Sequence, residues 1–180
     1  MHASPEYVKQ QEKLHAKGNY GVTAQKYGQM VSQIIDKLEL DTLLDYGCGS
    51  NLSLTKTLSP NRHVQYQGFD IGVPEYSEAP VPAEMVTCID VLEHIEPEYL
   101  EGVLDHLESL TEVVLFASVH MGPAGKVLDD GRNAHLTQQP PEWWLPKFLE
   151  RFDLQTFQRV SGVEFFVICN RSGLDIEQPQ

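Results

Sequence analysis

The stretch Leu43-Leu44-Asp45-Tyr46-Gly47-Cys48-Gly49-Ser50-Asn51 decides how this chain is read. A short apolar run stops at Gly47 and Gly49, the pattern of a strand entering a tight turn. Glycines there let the backbone take positive φ and approach a ligand closely. In open α/β sheets ligands sit beyond the carboxyl ends of the strands, so the turn prepares a site for a nucleotide-like molecule. The dinucleotide fingerprint needs a third glycine, and Leu52 stands in its place.

Outward from this turn, strand and helix patterns alternate. Residues 7–17 and 24–38 read as helices, the second with Tyr27, Met30, Val31, Ile34, Ile35 and Leu38 on one face. Residues 42–46 predict a strand, 52–58 a short helix, and 64–69 and 85–89 two further strands. Pro97 sits in the first turn of a helix that carries Leu100, Val103, Leu104, Leu107 and Leu110. Residues 112–119 are apolar on both faces, as in the middle of a parallel sheet. A long polar loop, 120–139, precedes a helix over 142–152, and 154–160 pairs with 163–169 as a hairpin. The fold class is α/β, a doubly wound and mostly parallel sheet with a C-terminal antiparallel hairpin. Residues 1–40 form a helical lid, 41–172 the core, and 173–180 a flexible tail.

Composition limits the partners. The 180 residues hold one domain, with 41% hydrophobic and 22% charged residues. The formal net charge is −13 and no basic stripe interrupts it, which disfavours long nucleic acid. The cysteines Cys48, Cys88 and Cys169 are far apart and form no metal knuckle or disulfide framework. The longest apolar run is too short for a membrane span. The N-terminus, MHASPEYVKQ, lacks a signal-peptide layout, so the expected location is cytoplasmic. The oligomeric state stays open between monomer and homodimer.

The segment Asp45-Tyr46-Gly47-Cys48-Gly49-Ser50-Asn51 resembles the first motif of the class I S-adenosylmethionine (SAM)-dependent methyltransferases, acidic-x-Gly-x-Gly-x-Gly. Dinucleotide sites carry an apolar residue where Asp45 stands. Asn51 replaces the last glycine, and Asn tolerates left-handed backbone. Asp70, ending the second strand in Gln67-Gly68-Phe69-Asp70-Ile71, fits the carboxylate that accepts the ribose hydroxyls of SAM. Cys88-Ile89-Asp90-Val91-Leu92-Glu93-His94-Ile95 resembles the D-x-L-E-H motif after the family's fourth strand. The resemblance covers roughly residues 40–120 and implies a Rossmann-like fold with SAM as cofactor. It implies Asp45, Gly47, Cys48, Gly49, Asp70, Ile71, Asp90, Val91 and Leu92 as cofactor-binding residues. The phenols of Tyr20 and Tyr27 are expected to close over the cofactor's methionine end. Most relatives place a helix and another strand where this chain has only the proline-rich 72–84 segment, so that edge element is expected missing or reduced.

The chemistry narrows by what is missing. The Asn/Asp-Pro-Pro-Tyr of DNA amino-group methyltransferases is absent, and Cys88 lies too early for a pyrimidine C5 nucleophile. Acid-x-x-Glu-His followed by a distant His resembles the metal-binding pattern of ubiquinone-pathway and small-RNA 2′-hydroxyl methyltransferases. A divalent metal, if bound, would then use Asp90, Glu93, His94 and His120. Without a metal, His120 or His135 is the candidate general base beside Asp90. Loop residues Arg132, Asn133 and His135 suit a polar or anionic acceptor, and one of Trp143 and Trp144 is expected on the sheet with the other walling the site. The expected activity is methyl transfer to a polar small molecule, at oxygen. The rivals are methylation of a nucleotide or nucleic-acid component, and a SAM-binding module without catalysis.

Overall fold

Thr42–Tyr46 (β1), Gln65–Phe69 (β2), Ala83–Ile89 (β3) and Thr111–His120 (β4) pair in parallel in the computed structural model, which describes residues 2–16 and 21–173. Glu164–Arg171 (β6) runs antiparallel to β4 and to Phe152–Ser161 (β5), giving the order β2-β1-β3-β4-β6-β5. The sheet is thus mostly parallel and ends in the expected hairpin. Tyr20 and residues 174–180, which carry two of the expectations above, lie outside the described residues.

Alternation along β4 explains its doubly apolar sequence. Val114 and Phe116 face a layer built by Val31 and Ile35 of the helix Gly28–Leu38, whereas Leu115, Ala117 and Val119 face the opposite one. That second layer is filled by Leu104 and Leu107 of the helix Leu100–Leu110, and by Trp144 and Phe148 of the helix Pro141–Leu149. Burying both faces is what a parallel strand between helical layers requires. A separate small cluster joins Tyr7 and Leu14, on the N-terminal helix Pro5–His15, to Leu128 and Ala134 of the long loop. Ser4 caps this helix, its Oγ accepting from the Tyr7 N–H at 3.1 Å.

In chain order these helices are α1 (Pro5–His15), α2 (Gly28–Leu38), α3 (Leu100–Leu110) and α4 (Pro141–Leu149). Three local expectations change. The stretch before α2 is a 3-10 turn, Thr23–Tyr27, and not α-helix. The expected helix over 52–58 shrinks to a 3-10 turn, Ser53–Lys56, because Leu52 enters it with a left-handed φ of 47°. Leu52, and not Asn51, therefore supplies the left-handed residue after the glycines. Between β2 and β3 there is only the 3-10 turn Pro74–Tyr76, and β2 pairs with β1 alone as the sheet edge. Among the described residues no helix is long and apolar enough to cross a membrane.

The tryptophans divide. Trp144 is fully buried and its Nε1–H donates to the Gln139 carbonyl at 3.1 Å. Trp143 is 36% exposed beneath the Lys147 ammonium, 4.5 Å from its ring centroid, and neither ring lines the cavity described below. Trp144→Ala is expected to cost ~3–5 kcal/mol in urea unfolding, and Trp143→Ala about 1 kcal/mol or less. Equal costs for the two variants would contradict this assignment.

Candidate active site

The turn after β1 is shaped by where its backbone must go. Gly47 has φ +82° and Gly49 φ +66°. A Cβ on Gly47 would come within 2.2 Å of Val91 Cγ2, so the D-x-L-E-H segment packs directly against the turn. The Gly47 and Cys48 N–H groups both donate to the Phe69 carbonyl at the end of β2, at 2.7 and 3.1 Å. Asp70 completes the junction: its carboxylate accepts from the Gly49 N–H at 3.0 Å and from the Gly72 N–H at 2.8 Å.

Beyond these strand ends lies a cavity of about 780 Å³, its open mouth included. Phe69, Ile71, Val91, Ile95 and Val103 give it apolar walls; Gln11, His15, Thr23, Asp70, Asp90 and His94 give it polar ones. No lysine or arginine among the described residues lines it. Helix α1 closes one side with Tyr7, Gln11 and His15. His15 Nε2 lies 3.7 Å from Asp70 Oδ2, and burial keeps its imidazole below the usual range despite that carboxylate. Polar latches hold α1 in place: Ser4 donates from N and Oγ to Glu96 at 2.8 and 2.9 Å, Gln10 to Asp130 at 3.0 Å, and Lys13 to Asp129 at 2.7 Å.

Of the residues singled out by sequence, Gly47, Gly49, Asp70, Ile71, Asp90, Val91 and His94 meet at this cavity. Others are placed elsewhere. Asp45 is buried beneath the turn, where it accepts from Thr87 Oγ1 at 2.9 Å and Tyr66 OH at 3.0 Å. Cys48 turns its sulfur toward Gly68, where an added Cβ would sit 2.9 Å from it, and burial pushes its thiol well up. Leu92 belongs to the core. Tyr27 is engaged away from the cavity: its buried OH donates to Glu164 Oε1 at 2.8 Å, and Lys26 pairs with the same carboxylate.

Asp90 occupies the left-handed region with φ 61°, its N–H shared between the Ser118 carbonyl and Oγ. Thr23 Oγ1 donates to its Oδ2 at 2.8 Å. Burial alone would raise its pKa, but hydrogen bonding from Glu93 and Thr23 and the nearby His94 and His135 hold it below the usual carboxylate value. Glu93 goes the other way: full burial, then the charge of Asp90, push it well above the usual value. Its Oε1 accepts from the His120 N–H at 2.7 Å. Oε2 is buried and makes no hydrogen bond of normal geometry, although Asp90 lies close enough to hold the Glu93 proton.

Three imidazoles stand in a row. His135 lies between His94, ring centroids 4.6 Å apart, and His120, 4.9 Å apart. Burial lowers both His135 and His94, the latter to about 4, so both are neutral. His120 Nδ1 contacts Gly122, 3.1 Å from its carbonyl and 3.2 Å from its N–H. Among the described residues, donor atoms of Glu93, His94 and His135 lie within 4.8 Å of one another; Asp90 and His120, expected to share a metal with Glu93 and His94, are not in that group. In the loop, Asn133 bonds Ala124 at both its backbone groups and the His135 N–H, and Arg132 pairs with Asp130, so these side chains shape the loop itself. Sequence reasoning missed Tyr7, Gln11, His15 and Thr23 as cavity residues, since no local pattern announces contacts made across the fold.

No protein-family model and no curated protein sequence matches the chain. Solved structures do. The magnesium protoporphyrin IX methyltransferase of Synechocystis PCC 6803 with bound S-adenosylhomocysteine (SAH) superposes with a TM-score of 0.64 at 16% identity, over 93% of this chain and 97% of that one. The Burkholderia thailandensis 1,6-didemethyltoxoflavin-N1-methyltransferase, with its acceptor and SAH bound, gives 0.66 at 15% identity, over 94% and 91%. The DhpI–SAH complex gives 0.62 at 13% identity, over 96% and 100%. At such identities the likeness is one of fold: the chain has the Rossmann-like fold of these methyltransferases.

Asp45 generates a pH test. Burial is the main cause that raises its carboxyl from 3.8 to about 6, against the bonds from Thr87 and Tyr66. The native state then holds a proton that the unfolded state has released, so this stabilisation is full below about pH 4 and is lost as pH rises to about 6. The stability of wild type minus that of Asp45→Asn is expected to fall by ~3 kcal/mol from pH 4 to pH 7 in urea unfolding. A difference that is flat or rises with pH would refute it.

Proposed function

We propose that this chain is a SAM-dependent methyltransferase acting on a polar small molecule, at oxygen. The observation that carries the cofactor reading is Asp70. It holds a carboxylate at the cavity edge, beside the glycine turn and within the apolar walls of Ile71 and Val91. A carboxylate there accepts two hydrogen bonds from a ribose diol, and the apolar walls suit a purine. The three similar structures hold bound SAH, which supports the same reading. Asp70 and Asp90, with no lysine or arginine among the described lining residues, favour a cation such as a sulfonium in this cavity.

Bound SAM would supply an electrophilic methyl group on sulfur. The acceptor hydroxyl attacks in line; the O–CH3 bond forms as the S–CH3 bond breaks, and alignment provides much of the acceleration. Asp90, ionised and at the cavity, orients the hydroxyl and takes its proton. His120 and His135, candidates for that role by sequence, are not among the residues that line the cavity. Asp45 acts from below, bracing the turn through Tyr66 and Thr87. Helix α1 serves as the lid, and its latches to Glu96, Asp129 and Asp130 release when the cofactor exchanges. An oxygen acceptor is favoured over nitrogen because an alcohol must give up a proton, and the carboxylate and neutral imidazoles at this end can receive it.

Titration calorimetry tests the reading. Wild type is expected to bind SAM and SAH with one site per chain, and Asp70→Ala to lose at least about 100-fold in affinity, the worth of two hydrogen bonds to a charged group. Absence of binding by wild type, or undiminished binding by Asp70→Ala, would overturn it.

A further inference from the structure

Glu93 and His94 sit in the 3-10 turn Leu92–His94 after β3, and His135 in the long loop after β4. The two segments are stapled together: the Thr137 N–H donates to the Glu93 carbonyl at 2.9 Å and Thr137 Oγ1 to the Ile95 carbonyl at 3.2 Å. One donor atom from each of Glu93, His94 and His135 then falls within 4.8 Å of the others, all three side chains buried.

The tautomers are set by the backbone. His94 Nδ1 lies 2.8 Å from the Ala134 carbonyl and His135 Nδ1 2.7 Å from the Gly122 carbonyl. A carbonyl can only accept, so each Nδ1 carries the hydrogen and each Nε2 bears a lone pair. An imidazole anchored this way through its other nitrogen is the arrangement metal-binding histidines use. Glu93 is fully buried, and its Oε2 makes no hydrogen bond of normal geometry. Asp90 lies close enough to hold the Glu93 proton, and a bound cation would take that proton's place.

We propose that Glu93, His94 and His135 bind one divalent cation, through a Glu93 carboxylate oxygen and the two imidazole Nε2 atoms. Two imidazoles and one carboxylate suit zinc, cobalt or manganese better than magnesium or calcium. His94 also lines the cavity, which gives the ion a path in and places it beside Asp90. Three protein ligands leave coordination positions open for an acceptor oxygen, whose proton the ion would make easier to remove. That catalytic role rests on the methyltransferase reading; binding itself does not.

The test uses the full chain, stripped with EDTA and dialysed. Titration with Co2+, followed by d–d absorption, and with Zn2+, followed by calorimetry, is expected to show one ion per chain without SAM present. His135→Ala and Glu93→Gln are each expected to weaken binding at least about 10-fold, and Arg159→Ala, at an exposed hairpin residue paired with Glu142, to leave it unchanged. In wild type, Zn2+ should also shift the imidazole Nε2 resonances of two histidines, a readout that needs no variant to fold. No stoichiometric uptake by wild type, no shift of histidine Nε2 resonances, or uptake unaffected by both ligand variants would overturn the proposal. Loss of SAM binding with the ion retained would refute the cofactor reading alone.

Discussion

The carboxylate of Asp70 joins the two chain segments that define the cavity. By accepting from the Gly49 and Gly72 N–H groups, it ties the turn after β1 to the chain leaving β2. Gly47 and Cys48 reinforce the junction by donating to the carbonyl of Phe69, the residue before it. Because Gly47 also packs against Val91, the position of the D-x-L-E-H segment depends on the same junction. Asp45 braces it from beneath at the cost of burying a carboxyl, which is why that group holds its proton to about pH 6. One strand-end contact thus sets the floor, one wall and the approach to Asp90.

Around this fixed floor the other walls come from far along the chain. Helix α1 and the loop after β4 share a small apolar cluster and are latched by Gln10–Asp130 and Lys13–Asp129. The loop in turn holds His94 through the Ala134 carbonyl. Helix α1 and His94 therefore rest on the same loop.

The sheet was legible because its strands are short apolar runs closed by turn residues, and β4 announces its central place by being apolar on both faces. The proline-rich segment after Asp70 likewise revealed a sheet edge ending at β2. Local backbone choices were harder. Leu52 takes the left-handed position that Asn51 was expected to hold, because the turn's geometry depends on contacts with β2 and not on intrinsic preference. In the site, the glycine turn was readable from the residues themselves, and Asp70 and Asp90 from the resemblance to methyltransferase motifs. The approach of His135 to Glu93 and His94 was not, since it depends on the long loop folding back over the 3-10 turn at Glu93. The engagement of Tyr27 by Glu164 was equally hidden, as those residues lie at opposite ends of the chain.

The most direct measurement is a crystal structure of the full chain grown with SAH. The nucleoside is expected in the cavity between Gly47 and Asp70, both ribose hydroxyls on the Asp70 carboxylate and the purine between Ile71 and Val91. SAH bound with its ribose away from Asp70, or the cavity lacking SAH at saturating concentration, would contradict the account.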